Sequence, residues 1–291
     1  MSNLHTTCLI NRTEDLVELK GFEKTDLVKS KSSGLVFARK IPTPQELQNH
    51  YNNYSRGGGR LTGITIKRYN TLLDEFEPYR ANNRILEIGC GGGAFLLEAQ
   101  KRGWEVHGTE YTKEAADIPE SQGVAMKHGI LQPSNYVSDF DIIVSIEVIE
   151  HINNPLEEVT NMYSLLRNGG LLYITTPNFN AIERYHLGEE YKVIGYPEHL
   201  IYFTPKTLNL LMKKVGFKKK KLLTTGINIS SFRSKKQRAS EGRQGGVKNS
   251  DQELREHIEG NNLLQIVKNI INNILTILQI GNAIKAYYIK P

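Results

Sequence analysis

Residues 145–151 read SIEVIEH, and three of them can do chemistry. If 147–151 turns helically, Glu147, Glu150 and His151 stand at i, i+3 and i+4 and share one face. A histidine held by a carboxylate is a general base at neutral pH. Two carboxylates and a histidine, joined by His199 from PEHLIYF, also form a ligand set for a divalent cation. In a third reading the carboxylates only orient His151 and cap the start of a helix. An acid–acid–histidine set does not choose between base and metal.

The second chemical stretch is RILEIGCGGGA at 84–94. Ile85, Leu86 and Ile88 make a short apolar run suited to a buried parallel strand, and the glycines then interrupt it. Backbone there can approach a ligand closely, and the N–H groups of the following helix start favour polar groups. Gly89, Gly91 and Ala94 match the dinucleotide pattern G-x-G-x-x-G/A. Glu87, Gly89, Gly91 and Gly93 match the acid-x-G-x-G-x-G pattern of class I S-adenosylmethionine-dependent methyltransferases. Glu110 ends the next strand-like segment, WEVHGTEYT, about 20 residues after the glycines, where an acid holds ribose hydroxyls. Both NAD and S-adenosylmethionine need that acid, so Glu110 supports an adenosine ligand without choosing between them.

These residues need elements to position them. The pattern predicts helices near 64–77, 93–102, 112–118, 155–166 and 205–215. It predicts strands near 84–88, 105–109, 124–127, 140–146, 171–176 and 218–225. Such alternation argues for an α/β, doubly wound, mostly parallel sheet. In open sheets of this kind ligands bind at the carboxyl edge, where the glycine turn and SIEVIEH both fall.

FDIIVSIEVIEHINNPLEEV, LLRNGGLLYITTPN and PEHLIYFTPKTLNLLMKKVGF resemble class I methyltransferase segments in order, spacing and chemistry. The group they most resemble contains the ubiquinone-biosynthesis O-methyltransferases and bacterial methyltransferases of sugar and secondary-metabolite pathways. The resemblance covers about residues 40–230 and implies a Rossmann-like, seven-stranded sheet. AIKAYYIK at the C-terminus resembles that family's last, antiparallel strand. By this resemblance the cofactor is S-adenosyl-L-methionine. Glu87 and the turn from Gly89 to Gly93 lie along its methionine part, Glu110 takes the ribose, and Tyr111 lies beside the adenine. The family often carries an acid after the third strand for the adenine amino group. Gly129 and Ile130 stand there instead, which leaves backbone and apolar contact. A segment similar to E-x-x-E-H accompanies a bound metal in the quinone and small-RNA 3′-end methyltransferases, and His199 is the matching fourth ligand here.

The implied activity is methyl transfer, at oxygen, to a small-molecule or glycosylated acceptor, with His151, Glu147, Glu150 and His199 as catalytic candidates. His199, Tyr202 and Phe203 either line the acceptor pocket or pack the next helix. Tyr51 and Tyr54 either form a lid or pack on the domain. Two rival readings are a non-catalytic S-adenosylmethionine-binding scaffold and an NAD-linked oxidoreductase, although no hydride-transfer residue set is visible.

Residues 1–60 are expected to form a degenerate zinc-ribbon-like N-terminal appendage with a lid helix, the alternative being an unrelated β-hairpin appendage. Many bacterial methyltransferases of the group that this chain resembles begin with a zinc ribbon, which has two cysteine pairs. Here Cys8 remains and Asn11, Ser30 and Ser33 stand at the other places, so a structural zinc is not expected. Residues 61–232 with 281–291 make the methyltransferase domain, and 233–280 a charged loop and amphipathic helix inserted before the last strand. The apolar face of the 263–280 helix (Leu263, Leu264, Val267, Ile270, Ile271, Ile274, Leu278) must be covered by the same chain, by a homodimer partner or by a membrane surface. The first two are the favoured expectations.

The net charge of +6 is mild, and its basic runs at 218–221 and 233–238 lack interleaved aromatics, so no nucleic-acid partner is expected. Cysteines number two, which excludes a disulfide framework and suits a reducing, cytoplasmic setting. No run is long and apolar enough for a transmembrane segment.

Overall fold

The computed structural model describes residues 3–53, 62–228, 232 and 261–291. The Tyr51 side chain, Tyr54, the SRGGGR joint at 55–60 and the charged stretch at 233–260 lie outside the described residues.

Three short strands open the chain: β1 (Leu16–Glu18), β2 (Leu27–Ser30) and β3 (Val36–Ala38). Helices α1 (Pro44–Asn53) and α2 (Gly63–Phe76) follow. Then β4 (Arg84–Ile88), α3 (Ala94–Lys101), β5 (Glu105–Glu110), α4 (Lys113–Glu120) and β6 (Ala125–His128) alternate. The chain crosses back through β7 (Phe140–Ile146), α5 (Pro155–Leu165) and β8 (Leu166–Pro177). It continues through α6 (Ile182–Leu187), β9 (Ile201–Tyr202), α7 (Pro205–Val215) and β10 (Lys218–Thr225). Helix α8 (Asn262–Leu278) and strand β11 (Ala283–Ile289) end it.

The main sheet has seven strands in the order β10-β11-β8-β7-β4-β5-β6. Strands β4 to β8 are parallel, and β11 is antiparallel to both its neighbours. Successive β4, β5 and β6 run to one side of β4, and β7 and β8 to the other. The winding therefore reverses between β4 and β7, which pair from Ile85↔Ile142 to Ile88↔Ser145. A crevice opens at the carboxyl ends of such a pair, because the connections leave it in opposite directions.

Each face of the sheet has its own core. Phe76 and Phe95, from α2 and α3, pack with Trp104 and Tyr173 on one face. On the other, Met162, Leu208, Leu211 and Phe203 surround Leu172 and Ile174. Local chemistry sets the element ends. Thr204 and Thr207 form a reciprocal capping box at the start of α7, with Pro205 in the first turn and left-handed Gly216 as the stop.

The N-terminal sheet contains a residue pair that its own sequence does not announce. Its order is β1-β2-β3-β9, so the IY of PEHLIYF becomes its fourth strand, with Val36↔Tyr202 and Phe37↔Ile201 in register. The Ala38 N–H also donates to the Leu200 carbonyl at 2.8 Å. Cys8, Asn11, Ser30 and Ser33 meet at one end of this sheet. Cys8 Sγ lies 3.2 Å from Ser33 Oγ, the Asn11 N–H donates to Cys8 Sγ at 3.5 Å, and the Ser33 N–H donates to Ser30 Oγ at 3.2 Å. Hydroxyl and amide hydrogen bonds thus join four positions around one thiol.

Helix α8 departs from expectation. The side chains turned toward the protein include Gln265, Lys268, Asn272, Leu275 and Thr276, and Leu275 is its buried apolar residue. Most of the face expected to be covered is exposed among the described residues: Leu263, Val267, Ile270, Ile271, Ile274 and Leu278 are exposed, and Leu264 is half-buried. No helix among the described residues is long and apolar enough to cross a membrane.

Candidate active site at the winding reversal

The glycine turn leaves β4 with left-handed backbone at Gly89, Gly91 and Gly93. Two of these positions also have no room for a side chain. A Cβ on Gly89 would sit 2.6 Å from Val148 Cγ2, and one on Gly93 would sit 2.4 Å from Pro119 Cβ. Gly89 therefore presses the turn directly against the SIEVIEH segment. Gly91 faces open space, and its N–H donates to Glu110 Oε2 at 3.0 Å. Glu110 Oε1 accepts the Thr112 N–H at 3.1 Å, which fixes the carboxylate at the end of β5. Tyr111, next in the chain, is 48% exposed beside it.

Glu87 is buried just before the turn, and its Oε2 has no hydrogen-bond partner among the described residues. Burial, then the charge of Glu110, pushes its carboxyl up to about 8. A buried, unsatisfied acid next to an open glycine turn suits a cationic ligand group. Gly129 and Ile130 follow β6; the Gly129 N–H donates to the Glu110 carbonyl and Ile130 is 64% exposed.

At the end of β7 the expected helical face does not form. Glu147 has φ +54°, and only Ile149–His151 makes a short 3₁₀ turn. Glu147 Oε1 accepts from Thr175 Oγ1 at 2.7 Å, and Glu150 Oε2 accepts from Thr176 Oγ1 at 2.9 Å. Consecutive strand residues point to opposite faces of a sheet. The two threonines therefore hold the two carboxylates on opposite sides of the β8 end. Glu147 is exposed at the mouth, and Glu150 is 2% exposed.

Glu150 instead groups with two histidines. One ligating atom from each of Glu150, His151 and His199 lies within 4.8 Å of the others, and Glu147 is not part of that set. The imidazoles of His151 and His199 tilt together with centroids 4.9 Å apart. His151 Nδ1 lies 2.5 Å from the Glu198 carbonyl, and His199 Nδ1 2.5 Å from the Val193 carbonyl. A carbonyl can only accept, so both rings carry the proton on Nδ1 and leave Nε2 as an acceptor. Burial holds His151 below the usual imidazole range, and hence neutral at pH 7. Burial, then the charge of Glu147, pushes Glu150 up to about 8. Glu150 Oε1 has no hydrogen-bond partner among the described residues and lies 3.9 Å from His151 Nε2.

Tyr202 and Phe203 take the packing role. Phe203 is fully buried in the core, and Tyr202 stacks on Phe179 at 5.3 Å. Sequence reasoning missed Thr175, Thr176 and Lys285. The threonine pair was visible as the only aliphatic hydroxyls in the apolar β8 run LLYITTP. Lys285 was visible as the one charge within β11; it pairs across from Thr175, and burial lowers its pKa. A cavity of about 350 Å³ lies elsewhere, between the N-terminal sheet and Ile194–Tyr202, lined by Lys24, Lys40, Tyr196 and Tyr202. None of the cofactor or catalytic candidates lines it.

Residues 63–222 match a family model described as a methyltransferase domain. The chain belongs to this family. Among curated relatives, the methyltransferase is 30% identical over 147 residues to the ubiquinone biosynthesis O-methyltransferase of Aeromonas salmonicida, covering 46% of this chain and 62% of that one. It is 27% identical over 162 residues to the protein of that name from Aromatoleum aromaticum, covering 51% and 69%. The match to the first relative thus spans less than two thirds of that relative's length. Among solved structures it resembles an S-adenosylmethionine-dependent methyltransferase from Archaeoglobus fulgidus, with TM-score 0.52, 16% identity, and coverage of 85% of this chain and 100% of that one. A Pyrococcus horikoshii protein matches with TM-score 0.51 and 12% identity, over 84% and 99%. At such identities these structures speak to the fold alone.

Family membership decides between the two ligands that the glycine turn admits: the cofactor of this methyltransferase is S-adenosylmethionine. The unpartnered Glu87 oxygen, the open space over Gly91 and the fixed Glu110 carboxylate suit its cationic methionine part and its ribose.

Proposed function

We propose that this methyltransferase transfers a methyl group to a hydroxyl oxygen of a small-molecule or glycosylated acceptor, with His151 as the base. The observation that carries the reading is the His151 Nδ1 to Glu198 carbonyl hydrogen bond. It leaves Nε2 as a proton acceptor three residues beyond Val148, which packs against Gly89, at the edge of the sheet where the proposed cofactor residues lie. Bound S-adenosylmethionine supplies an electrophilic methyl group on a sulfonium. The acceptor hydroxyl gives its proton to His151 Nε2 while its oxygen takes the methyl carbon and the carbon–sulfur bond breaks. Glu150, 3.9 Å from Nε2, favours the resulting imidazolium in its ionised form. Glu87, Gly89, Gly91, Gly93, Glu110 and Tyr111 hold the cofactor, and the fixed turn contributes by orientation.

A specific observation also favours a second reading. Glu150 Oε1 is unpartnered, and Glu150, His151 and His199 each bring a ligating atom within 4.8 Å of the others, a set that could hold a divalent cation. A cation there lowers the pKa of an acceptor hydroxyl.

The test is formation of S-adenosylhomocysteine with phenolic, carboxylic and sugar acceptors, with and without chelator. Turnover on a hydroxyl acceptor that survives chelation supports the base. Chelator-sensitive turnover restored by a divalent cation supports the metal set. Tight cofactor binding without turnover on any acceptor returns the chain to the scaffold reading.

A further inference from the structure

Lys285 is the one charged side chain within β11, AIKAYYI, and it is half-buried there. Its ammonium has no hydrogen bond and no ion pair among the described residues. The strand register shows where it stands. Tyr287 pairs with Tyr173, Tyr173 with Val144 and Val144 with Glu87, so these four share one row across one face of the sheet. Two residues nearer the carboxyl edge, Lys285 pairs with Thr175 and Thr175 with Ile146. Residues two apart along a strand share a face. Lys285 therefore lies on the Glu87 face, one row closer to the ligand edge and level with the start of the glycine turn. The strands β7 and β8 separate β4 from β11, which puts the two about 14 Å apart.

Two further cations face the same edge from different helices. Glu75 of α2 pairs with Lys221 of β10 at 3.4 Å, which turns that side of α2 toward the β10–β11 end of the sheet. Arg68 stands two turns earlier on the same side. In α8, Asn272 Oδ1 accepts the Gly226 N–H at 3.0 Å just beyond β10, and Lys268 stands one turn before Asn272 on the same inward side. Both cations act on Lys285. Burial lowers its pKa most, then Arg68 and then Lys268, against smaller opposite contributions from Glu75 and Glu147. Cations drawn from a strand and two helices to one corner repel one another, and a bound anion removes that repulsion. A lone lysine on an apolar strand is explained by a head that reaches water over a buried stem. That explanation does not account for two more cations turned to the same corner.

Glu147 links this corner to the histidines. Thr175, directly across from Lys285, donates its hydroxyl to Glu147 Oε1 at 2.7 Å. Burial raises the Glu147 pKa, while Thr175, His199 and Lys285 each act in the opposite sense. Glu147 thus stands between His199 and Lys285 at the mouth of the crevice. An acceptor that reaches from His151 past Glu147 meets the cations with its far end.

We propose that Lys285, flanked by Arg68 and Lys268, binds an anionic oxygen group of the methyl acceptor, a carboxylate or a phosphate, so that the acceptor of this enzyme is an acid. The proposal rests on the hydroxyl-transfer reading for which end of the acceptor reacts, and not for the anion contact itself.

The experiment is calorimetry on the full chain loaded with S-adenosylhomocysteine. Its probes are matched pairs: para-hydroxybenzoate against its methyl ester, and glucose phosphate against glucose. At least one acid is expected to bind about tenfold tighter than its neutral partner, as for hydrogen bonds to a charged group. The pair that shows the preference tells carboxylate from phosphate. Lys285→Gln should bring the ratio close to unity, and Lys285→Arg, which keeps the charge, should retain it. Arg68→Gln, at an exposed position of α2, should lower the ratio too, and it decides the question if Lys285→Gln does not fold. Acids that bind no tighter than their neutral partners, or not at all, overturn the proposal. So does a preference that survives Lys285→Gln. Methylation of the bound acid is scored separately, from S-adenosylmethionine. An acid whose binding needs Lys285 but which is not methylated supports the anion site and counts against the hydroxyl-transfer reading alone.

Discussion

The backbone N–H of Gly91 donates to Oε2 of Glu110 at 3.0 Å, which joins the glycine turn to the end of the next strand across 19 residues. The carboxylate is held before any ligand arrives, so binding needs little reorganisation of the acid. The bond also shows why glycine turn and acid must be read together. Each is common alone, whereas their contact builds one corner at the edge of β4 and β5, where we propose that the ribose binds.

Glu110→Ala is expected to weaken S-adenosylmethionine binding by about 1.5–3 kcal/mol, the range for hydrogen bonds to a charged group. Calorimetry checks this, with thermal unfolding as the control for folding. An unchanged dissociation constant would show that Glu110 does not face the ribose.

Glu87 should make cofactor binding pH-dependent. Its carboxyl, pushed up to about 8 in the free protein, holds a proton at neutral pH. A cationic ligand beside it favours the ionised form, so binding releases a proton and tightens as pH rises toward 8. Calorimetry in buffers of different ionisation enthalpy measures that proton. Glu87→Gln, which cannot ionise, should bind with no such release. Equal proton counts in both proteins would remove Glu87 from the cofactor site.

His151→Ala is expected to leave cofactor affinity nearly unchanged and to lower turnover about 10²–10⁴-fold. The deficit should shrink at high pH, where more of the acceptor ionises unaided. In the wild type the base form is the active one, and burial lowers the His151 pKa. Activity should therefore hold as pH falls through the usual imidazole range and be lost only below it. A variant within a few-fold of wild type would leave catalysis to proximity and orientation.

Purified protein is expected to contain no stoichiometric zinc, because a structural site takes four ligands and Cys8 is a single thiol among Asn11, Ser30 and Ser33. Elemental analysis measures it, and one zinc per chain would contradict the ligand count. Ser33 Oγ also accepts the Leu35 N–H at 3.1 Å in a fully buried setting, so Ser33→Ala should cost about 1–3 kcal/mol in denaturant unfolding.

The sequence by itself determined the winding of the main sheet, because apolar runs of period two and faces of period 3.6 are local signals that survive without a structure. The residues of the proposed cofactor corner were legible for a similar reason: Glu87, Gly89, Gly91, Gly93 and Glu110 lie on two adjacent strand–turn units. Tertiary structure alone decided the rest. Glu147 looked like a partner of Glu150 and His151 by helical spacing, yet a left-handed residue at the strand end broke the helix, and Thr175 and Thr176 pulled the two acids to opposite faces. His199 lies 48 residues from His151 and meets it because residues 201–202 are drawn into the N-terminal sheet, a pairing between strands too short to announce themselves. In α8 the amphipathic pattern was legible but its direction was not. Periodicity says that one face differs from the other, and only the hydrogen bonds of Asn272 and Thr276 to the body show that the polar face is the one turned inward.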